Sequence, residues 1–213
     1  MGTIRDGING PFRGRVGSVI GSSWRKIHYI KGLPRRQKRG ATEKQAVQRQ
    51  KFKLLNEFLL PIASLLELGF AQHTGTSTGR NAAFSANFAH AFNENGAGIA
   101  LNYPALQLSQ GTLCPAGNEQ AWLEADDLCV SWNPKTYGMG GSIDDTAHVL
   151  AYSPAELFFR SNDLSDMRQD GSARIKLGGL NQSEGLHVWL FFADRHRQQV
   201  SKSIYIPLSS TNA

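Results

Sequence analysis

From Leu101 onward the chain is cut into short apolar runs separated by turn-forming residues, and this punctuation limits the fold more than any other feature. Eight runs are legible: Leu106–Leu108, Gln120–Leu123, Leu128–Trp132, Ala147–Tyr152, Leu157–Arg160, Ala173–Leu177, Leu186–Ala193 and Ser201–Pro207. Gly, Asn, Asp and Pro fill the gaps. Strand-length runs broken this regularly predict an antiparallel sandwich or barrel over residues 105–213. Successive strand residues point to opposite faces, so Leu128, Val130 and Trp132 share one face. In the run before Asp194, Val188, Leu190 and Phe192 alternate with Trp189 and Phe191, so both faces of that strand are predicted to be buried. Cys129 then reads as an ordinary thiol beside the sheet, not a nucleophile.

Residues 41–100 carry helical spacing instead. Thr42-Glu43-Lys44-Gln45 fits a capping box that opens a helix. Phe52, Leu55, Leu59, Ile62 and Leu66 follow at intervals of three and four, a continuous apolar stripe. Pro61 lies inside that stripe and removes a ladder hydrogen bond, which predicts a kink or break near Glu57–Leu60. Gly69 is placed to cap the end. A second helix is predicted across Asn81–Asn93, with Phe84, Phe88 and Phe92 four apart on one face and Asn95-Gly96 as its stop. Such an aromatic stripe reads as packing surface, not a base-stacking platform.

The first forty residues differ from both segments. They are rich in glycine and hold two short β-prone pieces, Arg15–Ile20 and Trp24–Ile30, with Gly17-Ser18 and Gly21-Ser22 as turn or bulge candidates and Leu33-Pro34 as the end. The tract is too small to close a core of its own, so it is predicted to be an arm or hairpin that packs on another surface. Charge separates it from the rest. Residues 1–54 contain fourteen Lys and Arg against Asp6 and Glu43, whereas the remainder has nine bases and fifteen acids. A basic arm on an acidic body fits either polyanion binding or head-to-tail attraction between copies. The candidate contacts are Arg13, Arg15, Arg25, Lys26, Lys31, Arg35, Arg36, Lys38 and Arg39, with Trp24 and Tyr29 interleaved as stackers. If about six of these cations met phosphates, log affinity would fall with log salt at a slope of roughly −5.

No catalytic set is recognisable. The six histidines (28, 73, 90, 148, 187 and 196) have no partner at metal-ligand spacing, and two cysteines, Cys114 and Cys129, cannot form a disulfide scaffold or a zinc site by themselves. Asp126-Asp127 and Asp144-Asp145 sit at strand margins, where Asp is a turn former. Gly17–Ser23 lacks the lysine and the parallel βαβ setting of a phosphate loop. Neither a cofactor nor a metal is expected. No apolar run approaches the roughly 18 residues a spanning helix needs, so membrane insertion is not expected. The first residues match neither a secretion signal nor a myristoylation pattern, which places synthesis and folding in the cytoplasm, with later release inside a particle still open.

Gly2-Thr3-Ile4, Gly7-Ile8, Gly10 and the block Phe12-Arg13-Gly14-Arg15-Val16-Gly17-Ser18-Val19-Ile20-Gly21-Ser22-Ser23-Trp24-Arg25 begin a longer pattern. It continues through Tyr29, Pro34, Thr42, Gln45, Gln48-Arg49, Lys51-Phe52, Gly69-Phe70, Ala83-Phe84, Ser109-Gln110-Gly111, Val130-Ser131-Trp132 and Val200-Ser201-Lys202-Ser203-Ile204-Tyr205. This pattern resembles an uncharacterised bacterial family of similar length, found in Bacteroidota, and departs from it at Arg25-Lys26. The resemblance implies no activity and supplies no catalytic residues. Its last half is similar to fibronectin-type or immunoglobulin-like sandwiches, modules that in intracellular bacterial proteins often belong to phage virions or phage-like machines. The expectation is therefore an α+β chain: a basic glycine-rich β arm (1–40), a kinked two-helix segment (41–100) and an antiparallel β-sandwich (105–213). The expected role is a non-enzymatic, structural one. The chain would be a subunit of a homo-oligomer or phage-like particle whose arm docks on a neighbouring subunit by β-augmentation. The alternative is a nucleic-acid backbone binder using the same cations; an enzyme of unrecognised type is the third reading.

Overall fold

The structure, a computed structural model, describes residues 2–4, 10–24, 27–34, 40, 42–75, 77–95, 98–136, 138, 140–178 and 185–209. The chain divides into two compact units, Met1–Glu43 and Lys44–Ala213. The fold is α+β, with antiparallel ladders throughout its sheets.

The first unit is a four-stranded sheet in chain order: β1 (Thr3–Ile4), β2 (Phe12–Val16), β3 (Val19–Trp24) and β4 (Ile27–Gly32). Gly17, at φ +59°, and Ser18 make the turn between β2 and β3, where an L-residue with a Cβ is disfavoured. Gly21-Ser22, the other turn candidate, instead lies inside β3. A Cβ on Gly21 would strike the Phe12 carbonyl oxygen and ring, so glycine is required there for close approach and not for a bend. The two predicted β pieces thus become parts of three strands, because each piece spans a reversal of the chain.

In the second unit the predicted kink at Pro61 is a full break between α1 (Glu43–Leu59) and α2 (Ala63–Gly69). Leu55, Leu59, Ile62 and Leu66 are buried along one stripe that continues through the break, whereas Phe52 is 56% exposed. Gly69 does not act through a left-handed cap. A Cβ there would meet the Leu108 carbonyl, so the residue serves helix–loop contact.

The helix α3 (Gly79–Asn87) opens on Thr78, whose hydroxyl accepts from the Asn81 N–H. It is shorter than predicted, because Phe92–Asn95 is captured as β5 by β6 (Gly98–Leu101). The phenylalanine stripe nevertheless persists in space, with Phe84 stacked on Phe88 at 5.1 Å and Phe88 edge-on to Phe92 at 5.8 Å.

The remaining strands are β7 (Gln120–Glu124), β8 (Asp127–Ser131), β9 (Thr146–Ser153), β10 (Phe158–Ser161), β11 (Ser172–Lys176), β12 (His187–Ala193) and β13 (Ile204–Ile206). They form a four-stranded sheet, β10-β9-β12-β13, and a three-stranded sheet, β11-β8-β7. Only Leu106–Leu108 fails to pair. Its surroundings are tied by side chains instead: the buried Asn87 amide accepts from the Gln107 N–H and donates to the Gln107 carbonyl, and the Ser203 hydroxyl accepts from the Leu108 N–H, each at 2.8 Å. These side chains satisfy the backbone that a neighbouring strand would otherwise satisfy.

As the alternation predicts, β12 is buried on both sides. Val188, Leu190 and Phe192 join one cluster with Val130, Ala173 and Ile175 of the three-stranded sheet. Trp189 joins Leu55, Phe58, Leu66 and Phe70 in a second cluster under the helices. The helices and the large sheet therefore share a core. No helix among the described residues is long and apolar enough to cross a membrane.

Candidate functional site

Pairing register sorts the N-terminal sheet into two faces. Thr3 opposes Arg13, Arg15 opposes Ile20, Ile20 opposes Lys31, Ser22 opposes Tyr29 and Trp24 opposes Ile27. Opposed residues point the same way, so Arg13, Arg15, Trp24, Tyr29 and Lys31 lie on one face together with Ile20 and Ile27. Phe12, Val16, Val19, His28 and Ile30 fall on the other. The five described candidates are thus brought together. Arg25, Lys26, Arg35, Arg36, Lys38 and Arg39 lie outside the described residues. Ile20 and Ile27 are not among the candidate contacts expected from sequence; the turn at Gly17-Ser18 gives Ile20 its parity with them.

Among the described residues this unit holds no second layer, and Gly21 is its only buried described residue. Trp24 is 50% exposed, Ile27 63% and Ile30 65%, with Val16 and Tyr29 also exposed. Exposed apolar side chains on both faces leave much of the sheet's apolar area in contact with solvent. Arg15 donates from Nε to the Gly17 carbonyl at 3.2 Å, which holds its stem across the β2–β3 turn. Gly17–Ser23 is taken up by this turn and by ladder pairs of β3. The two edges, β1 and β4, have one neighbour each among the described strands.

The chemistry-bearing residues of the second unit have structural surroundings. Asp127 and Glu124 hold Arg174 at 3.3 and 2.7 Å. The Cys129 thiol donates to Glu124 at 3.4 Å, and burial, reinforced by that bond, pushes its pKa up, away from the reactive thiolate. Asp145 pairs with Arg168 at 3.3 Å, both buried, while Arg168 also donates to the Cys114 carbonyl at 2.7 Å and lies 3.8 Å over the Phe192 ring. Burial pushes the Asp145 carboxyl up, against the lowering effect of the Ser142 N–H and of Arg168. Among the described residues, no group of three or more His, Cys, Asp or Glu is arranged to hold a metal.

Taken together, these features define an α+β protein with a basic four-stranded sheet followed in sequence by a helix-covered antiparallel body. The chain belongs to a family of unknown function, DUF6266, whose model matches residues 11–207. Comparison with curated proteins and with solved structures gave no match.

Proposed function

We propose that the chain is a non-enzymatic assembly subunit whose N-terminal sheet docks on a neighbouring copy, building a homo-oligomer or phage-like particle. The observation that carries this reading is a four-stranded sheet with exposed apolar side chains on both faces. Fully burying a side chain of this size contributes about 1.5–3 kcal/mol. Covering the half-exposed Val16, Trp24, Ile27, Tyr29 and Ile30 would therefore supply on the order of 5 kcal/mol before any ladder bonds at the edges. The charge split supports a sister molecule as the partner, with the basic arm attracted to an acidic body. We further read the body as a β-sandwich of the fibronectin or immunoglobulin-like kind, supported by the buried cluster that side chains of both sheets share.

A second reading rests on the shared face of Arg13, Arg15, Lys31, Trp24 and Tyr29, where cations and aromatic rings stand together as in a nucleic-acid backbone binder. It leaves the opposite face, with Phe12, Val16, Val19 and Ile30, uncovered, and for that reason ranks below assembly. Size-exclusion chromatography with light scattering at low and high salt separates the two. A multimer without nucleic acid is the expected result. A monomer that binds DNA or RNA with a steep salt slope defeats the assembly reading.

A further inference from the structure

The break at Pro61 redirects the chain so that α2 runs beside the outer surface of the four-stranded sheet. Between them lies an open cleft of about 400 Å³. Its walls include Leu65 and Leu68 from α2 and Leu150 and Phe159 from the sheet. Five polar residues also line it: Ser64 of α2, His148 of β9, Arg160 and Ser161 of β10, and Arg197 of the connection between β12 and β13. We propose that this cleft binds a small amphiphilic carboxylate, an alkyl chain ending in a carboxylate group, with the chain against the leucines and Phe159 and the carboxylate between Arg197 and His148.

Three observations carry the assignment. First, His148 lines the cleft, stacks on Phe191 at 4.9 Å and has no hydrogen bond to a described residue. An acceptor bound in the cleft could take the ring N–H that no described residue engages. Second, Arg197 has no ion-pair partner among the described residues, and no carboxylate lines the cleft. Asp194, the acid of the same turn, is occupied by the backbone N–H groups of Gln198 and Gln199, each at 2.7 Å. Third, burial, aided by nearby Arg197, holds His148 down to about 4, so at neutral pH the ring is an uncharged donor beside a guanidinium. Apolar walls with a few converging polar groups and a volume of this size are what small-molecule sites share. The residues involved all lie in Lys44–Ala213, so the inference stands or falls separately from the assembly reading.

The test is calorimetric titration of the full-length protein with octanoate, with octanol as the uncharged comparator and the His148 ring signals followed by NMR. Saturable octanoate binding that shifts those signals is expected. Arg197→Gln, at an exposed position, should weaken octanoate binding by about tenfold or more while leaving octanol unaffected. Leu65→Trp, which fills the cleft, should abolish both. Absence of saturable binding to the unaltered protein overturns the site. Equal affinity for octanoate and octanol overturns the carboxylate as the recognised group, and full octanoate affinity in Arg197→Gln overturns its seat between Arg197 and His148.

Discussion

His148 is neutral in the folded chain because burial removes the water that would solvate its charge, and its pKa falls from 6.5 to about 4. The unfolded chain binds the extra proton between these values, so the contribution of neutral His148 is complete above pH 6.5 and is lost as pH falls toward 4. That loss is on the order of 3 kcal/mol. Urea unfolding across this range should show it, and His148→Phe, which keeps a ring against Phe191, should flatten this part of the profile. Asp145 makes a different prediction. Its removal by Asp145→Ala leaves the fully buried Arg168 without its carboxylate, which should cost about 3–5 kcal/mol in the same measurement at neutral pH. Neither role was legible in the sequence. Asp144-Asp145 looked like a turn, and no local signal links Asp145 to an arginine twenty-three positions away. The buried state of His148 was implied by its place in an apolar run, but its cleft depends on where α2 lands.

Elements were legible where local chemistry decides and less so where tertiary contacts override it. The break at Pro61 follows from a missing N–H, and the two-sided burial of β12 from alternation. The end of α3 did not follow, because Ala89–Asn93 has helical spacing and loses to pairing with β6. Leu106–Leu108 was read as a strand from its apolar residues, although the side chains of Asn87 and Ser203 replace the missing ladder. The sheet faces became readable only once Gly17-Ser18, and not Gly21-Ser22, was fixed as the turn. Close approach also explains Gly79 at the start of α3. A Cβ there would run into the Leu66 carbonyl and the Glu67 backbone, so Gly79→Ala should lower stability by about 1–3 kcal/mol despite alanine's higher helix propensity. Thermal unfolding of that variant checks whether the approach of α2 and α3 is as tight as the geometry requires.

On the scale of the whole molecule, the body buries apolar clusters on both sides of β12, whereas Gly21 is the sole buried residue among those described in the N-terminal sheet. Deleting residues 1–40 should therefore leave a cooperatively folding body while reducing the mass measured by light scattering to that of a monomer; a truncated protein that forms the same multimer would show the sheet is not the connector. The uncovered sheet also bears on how the chain survives its own synthesis. It leaves the ribosome ahead of the body, with β-prone, apolar segments exposed before any sister molecule has folded. Such segments coalesce readily, and flanking like charges are the usual safeguard. Arg13, Arg15 and Lys31 stand among the apolar residues of those strands, so their mutual repulsion would keep nascent copies apart and, on the proposed assembly role, reserve the sheet for a folded neighbour.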